Sequence, residues 1–170
     1  MHAQKSLAFI GILFLIFSAS CTHAAERDAL DLQVRLARAN ASPGPIDGRS
    51  GENTTLAIKA FQRMEGLPET GRVDAALKRR LEEITPGPTV IDYEITEKDV
   101  SGPFVKSIPE SLKEKAELDH LGYTGVAELL AERFHMDVDA LRRLNPGARF
   151  DVPGTRIKVA NVEAEDAKQK

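Results

Sequence analysis

The chain has 170 residues, a formal net charge of −3, 42% hydrophobic and 29% charged residues, which is enough for one medium domain or two very small ones. With no Trp, two Tyr and seven Phe, it has few aromatic side chains to stack on bases or sugars, and its balanced charge argues against a nucleic-acid partner. The single cysteine, Cys21, excludes an internal disulfide framework and a four-cysteine metal site.

The N-terminal segment has the pattern of a secretory signal peptide. A short start with Lys5 precedes an apolar run at 7–17, and small residues follow up to Cys21. The run is shorter than the ~20 residues that span a bilayer. Two cleavage sites remain open: after residue 20, as in a bacterial lipoprotein with an acylated Cys21, or after Ala24. The sequence predicts a periplasmic or exported protein, with an outer- or inner-membrane lipoprotein as the variant in which a lipid on Cys21 contacts the membrane.

Three amphipathic helices are predicted between residues 28 and 86. Asp28 is expected to cap the first helix, the hydroxyl of Thr54 the second, and Asp74 the third. The apolar residues recur at helical spacing, which indicates one buried face on each helix. The residues expected on the second and third of these faces are Ala57, Ile58, Phe61, Met64, Leu77, Leu81 and Ile84.

A loop rich in Gly and Pro, at residues 42–51, joins the first two helices. Asp47, Gly48, Gly51 and Thr54 are interpreted as structural residues of this loop. Glycine can adopt positive φ, and Asp can accept hydrogen bonds from neighbouring backbone N–H groups.

Candidate ligand-binding residues lie at three positions of the same region. Arg49 and Ser50 are the side chains expected to project from the loop. Gln62 follows the core residue Phe61 and either braces a loop or faces a ligand groove. A basic patch at 78–80 can meet carboxylates of a ligand. No catalytic residue, cofactor or metal site is predicted.

Many residues of this region occur in the order and spacing of the peptidoglycan-binding domain that is appended to bacterial cell-wall enzymes. The matching residues include Leu32, Gln33, Gly44, Ile46, Asp47, Gly48, Gly51, Thr54, Ala57, Ile58, Phe61, Gln62, Gly66, Leu67, Thr70, Gly71, Asp74 and Leu81. Residues 28–86 therefore resemble that domain, and the resemblance implies peptidoglycan as the partner. Because aromatic side chains are scarce, the stem peptide is favoured over the glycan as the part that is bound.

A second, smaller module is predicted at residues 119–162. Thr124 and Asp137 are expected to cap two helices, and Asn145-Pro-Gly147 is expected to end the second. Residues 155–159 alternate as a strand.

The tract from Leu130 to Val159 resembles the second half of a LysM domain, a βααβ module that binds N-acetylglucosamine polymers. The segment 87–118 is interpreted as an ordered connector with a short strand at 90–95, and 163–170 as a disordered tail. The predicted fold class is mainly α, with a three-helix peptidoglycan-binding-like domain followed by a small α+β LysM-like module.

The order of these parts resembles the non-catalytic N-terminal half of periplasmic L,D-transpeptidases. Those enzymes attack a peptide carbonyl with a cysteine thiolate in a His-Gly-Cys context, and this chain has no cysteine after Cys21. His120 and His135 lack metal-ligand spacing and are interpreted as surface or helix-end residues. The sequence thus predicts a non-catalytic protein that anchors itself or a partner, such as a cell-wall enzyme, to peptidoglycan. The alternative is a truncated or split L,D-transpeptidase whose catalytic domain is lost or lies on another chain.

Overall fold

A computed structural model describes residues 24–105 and 122–162 of the chain. The predictions for the signal peptide with Cys21, for His120 and for the tail at 163–170 lie outside the described residues. None of the helices within 24–105 and 122–162 is long and apolar enough to cross a membrane.

Six helices and two strands are described in these ranges. Residues 24–38 are helical and are named α1. The others, in chain order, are α2 (Glu52–Met64), α3 (Ala75–Ile84), β1 (Val90–Glu94), α4 (Glu97–Ser101), α5 (Val126–Arg133), α6 (Val138–Leu144) and β2 (Arg156–Ala160).

The N-terminal region packs α1, α2 and α3 around one apolar cluster centred on Phe61. Leu36 of α1 and Leu77 and Leu81 of α3 complete this cluster, as the helical spacing of the apolar residues predicts. The prediction that Met64 is also buried is wrong, because this side chain is 54% exposed. Met64 and the equally misassigned Ile84 are the last residues of α2 and α3, where the apolar face extends past the cluster.

The caps of these helices agree with the sequence prediction at one position and differ at two. The Asp74 carboxylate accepts a 2.9 Å hydrogen bond from the backbone N–H of Leu77 and caps α3, as predicted. Asp28 is not a cap, because the helix already includes residues 24–27. Thr54 does not cap α2 either: the N-cap is Gly51, and Thr54 lies buried inside the first turn.

The C-terminal region is a two-stranded antiparallel sheet covered by helices. β1 pairs with β2 in the register that places Val90 opposite Ala160, and α5 and α6 lie between the two strands in the chain. Ile95, directly after β1, is buried in the core of this region. Residues 90–95 are therefore part of the C-terminal region, and not of a connector at 87–118 as their sequence predicts.

Helix α6 is capped as predicted, and helix α5 is not. Asp137 accepts a 2.9 Å hydrogen bond from the N–H of Ala140 and caps α6. The N-cap of α5 is Gly125 rather than Thr124. The N–H and the hydroxyl of Thr124 both donate to the Glu128 carboxylate, at 2.6 and 2.7 Å, so the hydroxyl is occupied by a side chain instead of by the helix end.

Helix α1 belongs to the cores of both regions. Its Leu36 packs in the N-terminal cluster, while Leu30 and Val34 pack in the C-terminal cluster. The loop after α1 also joins that cluster through Ile46, whose backbone forms a parallel bridge with Met136. The two modules expected from the sequence therefore share one helix and one continuous contact surface.

Two arginines add hydrogen bonds across this contact surface. Arg38 of α1 donates to backbone carbonyls around the C-terminal sheet. Its acceptors are Pro86, Pro88 and Asn161, at 3.1, 2.7 and 2.6 Å. In the opposite direction, Arg143 of α6 donates to the Glu26 carboxylate at 2.8 Å and to the carbonyl of Asp47 at 3.0 Å. Charged hydrogen bonds thus reinforce the apolar contact near both ends of α1.

Candidate functional site

A single buried amide holds the loop at residues 42–51. Gln33 of α1 is only 2% exposed, and its Oε1 accepts from the N–H groups of Asp47 and Gly48, at 3.1 and 2.9 Å. Its Nε2 donates to Asp47 Oδ1 at 2.8 Å, to the Arg49 carbonyl at 3.0 Å and to Thr54 Oγ1 at 3.3 Å. Because one side chain contacts both ends of the turn, the loop has a defined shape before any ligand arrives.

Three of the four residues interpreted as structural, Asp47, Gly48 and Thr54, lie in this network, whereas the Gly51 carbonyl accepts from Thr55. Asp47 Oδ1 accepts a 2.9 Å bond from the N–H of Arg49. Gly48 has φ +69°, and a Cβ there would lie 3.0 Å from Cγ and 3.3 Å from the carbonyl oxygen of Glu26, so the position favours glycine. The expectation of positive φ at Gly51 is wrong, since its φ is −142°.

Gln62 plays the corresponding part in the loop that joins α2 to α3. Its Nε2 donates to Thr70 Oγ1 at 3.0 Å and to the Arg72 carbonyl at 3.4 Å, and its Oε1 accepts from the N–H of Gly71 at 2.9 Å. The side chain is 1% exposed. The structure therefore contradicts the placement of Gln62 among ligand contacts: it is buried, and its amide is occupied by the loop.

A groove of about 350 Å³ runs between α1 and α3. We name it the α1–α3 groove. Its lining includes Asp28, Leu32, Ser50, Lys78, Leu81 and Glu82. The floor of the groove is apolar, and its walls carry both signs of charge. Two residues that the sequence analysis names for ligand contact border it: Ser50, and Lys78 of the basic patch at 78–80.

Arg49 opens on a different groove, although it is the neighbour of Ser50. This second groove, of about 480 Å³, is lined by Arg49, Asp47, Asn53 and Asp137 among others. The Arg49 side chain is exposed, as the sequence predicts. The structure thus brings the loop residues together but directs them to two grooves rather than to one site.

The C-terminal region contains a buried carboxylate, Asp99, that is 2% exposed. It accepts from the N–H and hydroxyl of Thr96 at 2.9 and 2.8 Å, from the Tyr93 hydroxyl at 2.7 Å and from Arg133 at 2.7 Å. Burial alone would raise the pKa of Asp99, but these hydrogen bonds outweigh it and lower the pKa to about 2. The carboxylate fastens β1, α4 and α5 to one another.

His135 is the histidine that the described part of the chain contains. His135 is exposed in the turn between α5 and α6, with its backbone at φ 54° and its carbonyl accepting from the N–H of Ile46 at 2.8 Å. Across residues 24–105 and 122–162, no three His, Cys, Asp or Glu side chains are placed to hold a metal ion.

Gln33 is one of the residues that resemble the peptidoglycan-binding domain, but no role for it is predicted from the sequence. A signal for that role is present, because Gln33 occupies the i+4 position of the stripe that Ala29 begins and Leu36 continues. A polar residue inside an apolar helical stripe must find buried partners. Here those partners are the backbone groups of the loop.

Comparison with known proteins identifies one part of the chain. Residues 26–81, about one third of the chain, match the family model of a peptidoglycan binding domain. The matched residues comprise most of α1 and α3, all of α2, and the two loops that Gln33 and Gln62 hold. This match confirms the predicted resemblance for the N-terminal region. No curated protein matches the chain.

Proposed function

We propose that this protein is a non-catalytic peptidoglycan-binding protein of the bacterial periplasm, which anchors itself or a partner to the cell wall. The observation that carries the proposal is the family match at residues 26–81. The structure supports it, because the matched segment has a closed apolar cluster and no buried side-chain nitrogen or oxygen without a hydrogen-bond partner among the described residues. A domain built in this way presents preformed surfaces to a ligand.

The non-catalytic part of the proposal rests on the sequence. The domain order resembles that of L,D-transpeptidases, which use a cysteine nucleophile, and no cysteine follows Cys21. Incubation of the purified protein with muropeptides tests this point. We expect neither cross-linking nor hydrolysis, and turnover that persists through repurification would favour an enzyme instead.

The C-terminal region is proposed to support the wall-binding domain. Three described helices, α4, α5 and α6, lie between its two strands, whereas a LysM domain is a βααβ module. The core of this region includes Leu30 and Val34 of α1, so it covers a face of the helix from which Gln33 holds the binding loop. The proposed role of the C-terminal region is therefore to hold α1 in place, and not to bind glycan itself.

Export is proposed from the apolar run at 7–17 and the small residues before Cys21. Mass spectrometry of the protein isolated from cells identifies the mature N-terminus. An acylated Cys21 would indicate the lipoprotein, a start at residue 25 would indicate a soluble exported protein, and an intact Met1 would contradict export.

Sedimentation with purified sacculi is the direct test of wall binding. The protein processed from the full chain should sediment with sacculi, and amidase removal of the stem peptides should release it if the stem is the bound part. Arg49→Ala should weaken sedimentation only if the second groove takes part. Arg79 is exposed and lies outside both grooves, so Arg79→Ala is the matched control. Failure of the unmodified protein to sediment would contradict the proposed function.

A further inference from the structure

Two of the charged residues in the α1–α3 groove are occupied within the protein. Arg35 pairs with Asp31 at 3.0 Å and donates to the Thr85 carbonyl at 2.8 Å. Asp31 also accepts a 2.7 Å hydrogen bond from the Thr89 hydroxyl. These two side chains therefore form part of the groove's framework.

Three other charged residues of the groove have no such partners. Lys78 and Glu82 of α3 and Asp28 of α1 are exposed and line the groove, and none of them makes a side-chain hydrogen bond or ion pair with residues 24–105 or 122–162. Lys78 and Glu82 stand at i and i+4, a spacing at which opposite charges commonly pair. In this structure the pair is not formed, so one ammonium and two carboxylates remain available along the groove.

The floor between these charges is apolar. Leu81 and Ala29 are buried beneath the groove, and Leu32 is partly buried beside them. Val73 stands on the rim and is exposed, although it is a large hydrophobic residue. The groove volume of about 350 Å³ lies at the lower end of the range for sites that hold small ligands.

From this arrangement we infer that the α1–α3 groove binds a short peptide that carries both a carboxylate and a side-chain ammonium. Lys78 pairs with the carboxylate, Asp28 and Glu82 pair with the ammonium, and the aliphatic part of the peptide lies on Leu32 and Leu81. The inference rests on the proposed function, since within peptidoglycan this combination of charges occurs in the stem peptide and not in the unsubstituted glycan. It assigns the ligand to this groove and not to the groove of Arg49.

The neighbouring basic residues do not compete for this role. Arg80 pairs with Glu65 at 2.6 Å and with Glu83 at 3.3 Å, and neither Arg79 nor Arg80 lines the groove. Of the basic patch at 78–80, only Lys78 faces the site. This difference supplies matched controls on the same helix.

The test measures binding of N-acetyl-L-alanyl-γ-D-glutamyl-L-lysine to the purified mature protein by NMR titration. We expect Lys78→Ala and Glu82→Gln each to raise Kd about fivefold, the upper range for an exposed ion pair. Arg79→Ala and Glu83→Gln should leave Kd unchanged. Acetylation of the peptide's lysine side chain should weaken its binding to the unmodified protein, and this loss should be smaller in Glu82→Gln, which already lacks one partner of the ammonium.

Failure of the groove assignment and failure of the proposed wall binding give different results. If the unmodified protein sediments with sacculi while Lys78→Ala and Glu82→Gln bind the peptide normally, the groove assignment is overturned and the proposed function stands. Equal losses in the matched controls would also overturn the assignment, because they would indicate a diffuse charge effect. If the unmodified protein does not sediment with sacculi, the proposed function fails. Melting temperatures of all four variants should match that of the unmodified protein, as expected for exposed positions.

Discussion

The N-terminal and C-terminal regions each use two buried polar side chains to hold loops and junctions, but only the C-terminal region uses a charged one. In the N-terminal region the side chains are the neutral amides Gln33 and Gln62. In the C-terminal region Asn145 holds α6 to β2, yet the junction of β1, α4 and α5 depends on the charged Asp99. A neutral amide can donate and accept hydrogen bonds at once, and it carries no titrating charge. The loops of the N-terminal region should therefore keep their shape over a wider pH range than the junction of β1, α4 and α5.

The largest expected effect comes from separating the two regions. Residues 24–86 alone would expose Leu30, Val34 and Ile46, all buried in the shared core. Each such side chain contributes about 1.5–3 kcal/mol on burial, and the total is comparable to the whole stability of a small domain. We expect this fragment to lack a cooperative thermal transition by circular dichroism. A transition as sharp as that of the whole protein would show that the regions are independent.

Truncation of the Gln33 side chain should cause the next largest loss of stability. Gln33→Ala leaves the N–H groups of Asp47 and Gly48 without their acceptor, and we expect a loss of about 3 kcal/mol in the free energy of unfolding. Urea titration measures it. Gln33→Glu keeps the acceptor oxygen but places a second carboxylate beside Asp47, so this variant should be less destabilised at pH 4 than at pH 7. If Gln33→Glu were destabilised equally at both pH values, the site would not require an uncharged side chain.

Asp99 should make the C-terminal region sensitive to acid. Its pKa in the folded protein is lowered to about 2 from a usual value of 3.8, so its contribution is complete well above pH 4 and is lost as the pH falls towards 2. We expect about 2 kcal/mol from this group at neutral pH. Comparison of unfolding free energies between pH 7 and pH 2.5 should show a smaller change in Asp99→Asn. If Asp99→Asn and the unmodified protein lost the same unfolding free energy between these pH values, Asp99 would not be the source of the acid sensitivity.

The smallest effect is expected at Arg49. Its exposed side chain makes no hydrogen bond or ion pair with the described residues, and the loop beneath it is held through its backbone. Arg49→Ala should therefore change the unfolding free energy by less than about 0.5 kcal/mol, measured in the same urea titration. A loss as large as that of Gln33→Ala would show that the side chain supports the loop.

Features that depend on neighbours in the chain could be predicted from the sequence. Asp74 and Asp137 cap their helices as expected, because the acceptor and the N–H group stand three residues apart. Thr54 and Thr124 are equally suitable cap residues, but Gln33 binds the first hydroxyl and Glu128 the second. Competition from side chains at other positions is not visible in local spacing.

The candidate site was accessible from the sequence only in part. The exposure of Arg49 and Ser50 follows from their place in a turn, whereas the buried position of Gln62 depends on how the next loop folds over it. The α1–α3 groove could not be predicted, because it requires the placement of α1 against α3. The sequence names Lys78 only as one of three basic residues that can meet carboxylates, and Glu82 only as part of a solvated helix face.

Because α1 packs in the cores of both regions, the two regions are not easily separated by recombination. A recombination break between the two regions would separate Arg38 from its carbonyl acceptors. It would also expose Leu30 and Val34 to solvent. An insertion in the short stretch between α3 and β1 would shift the same contacts. The stretch of chain that keeps these contacts together therefore extends from α1 through β2, more than twice the length of the segment that matches the family model.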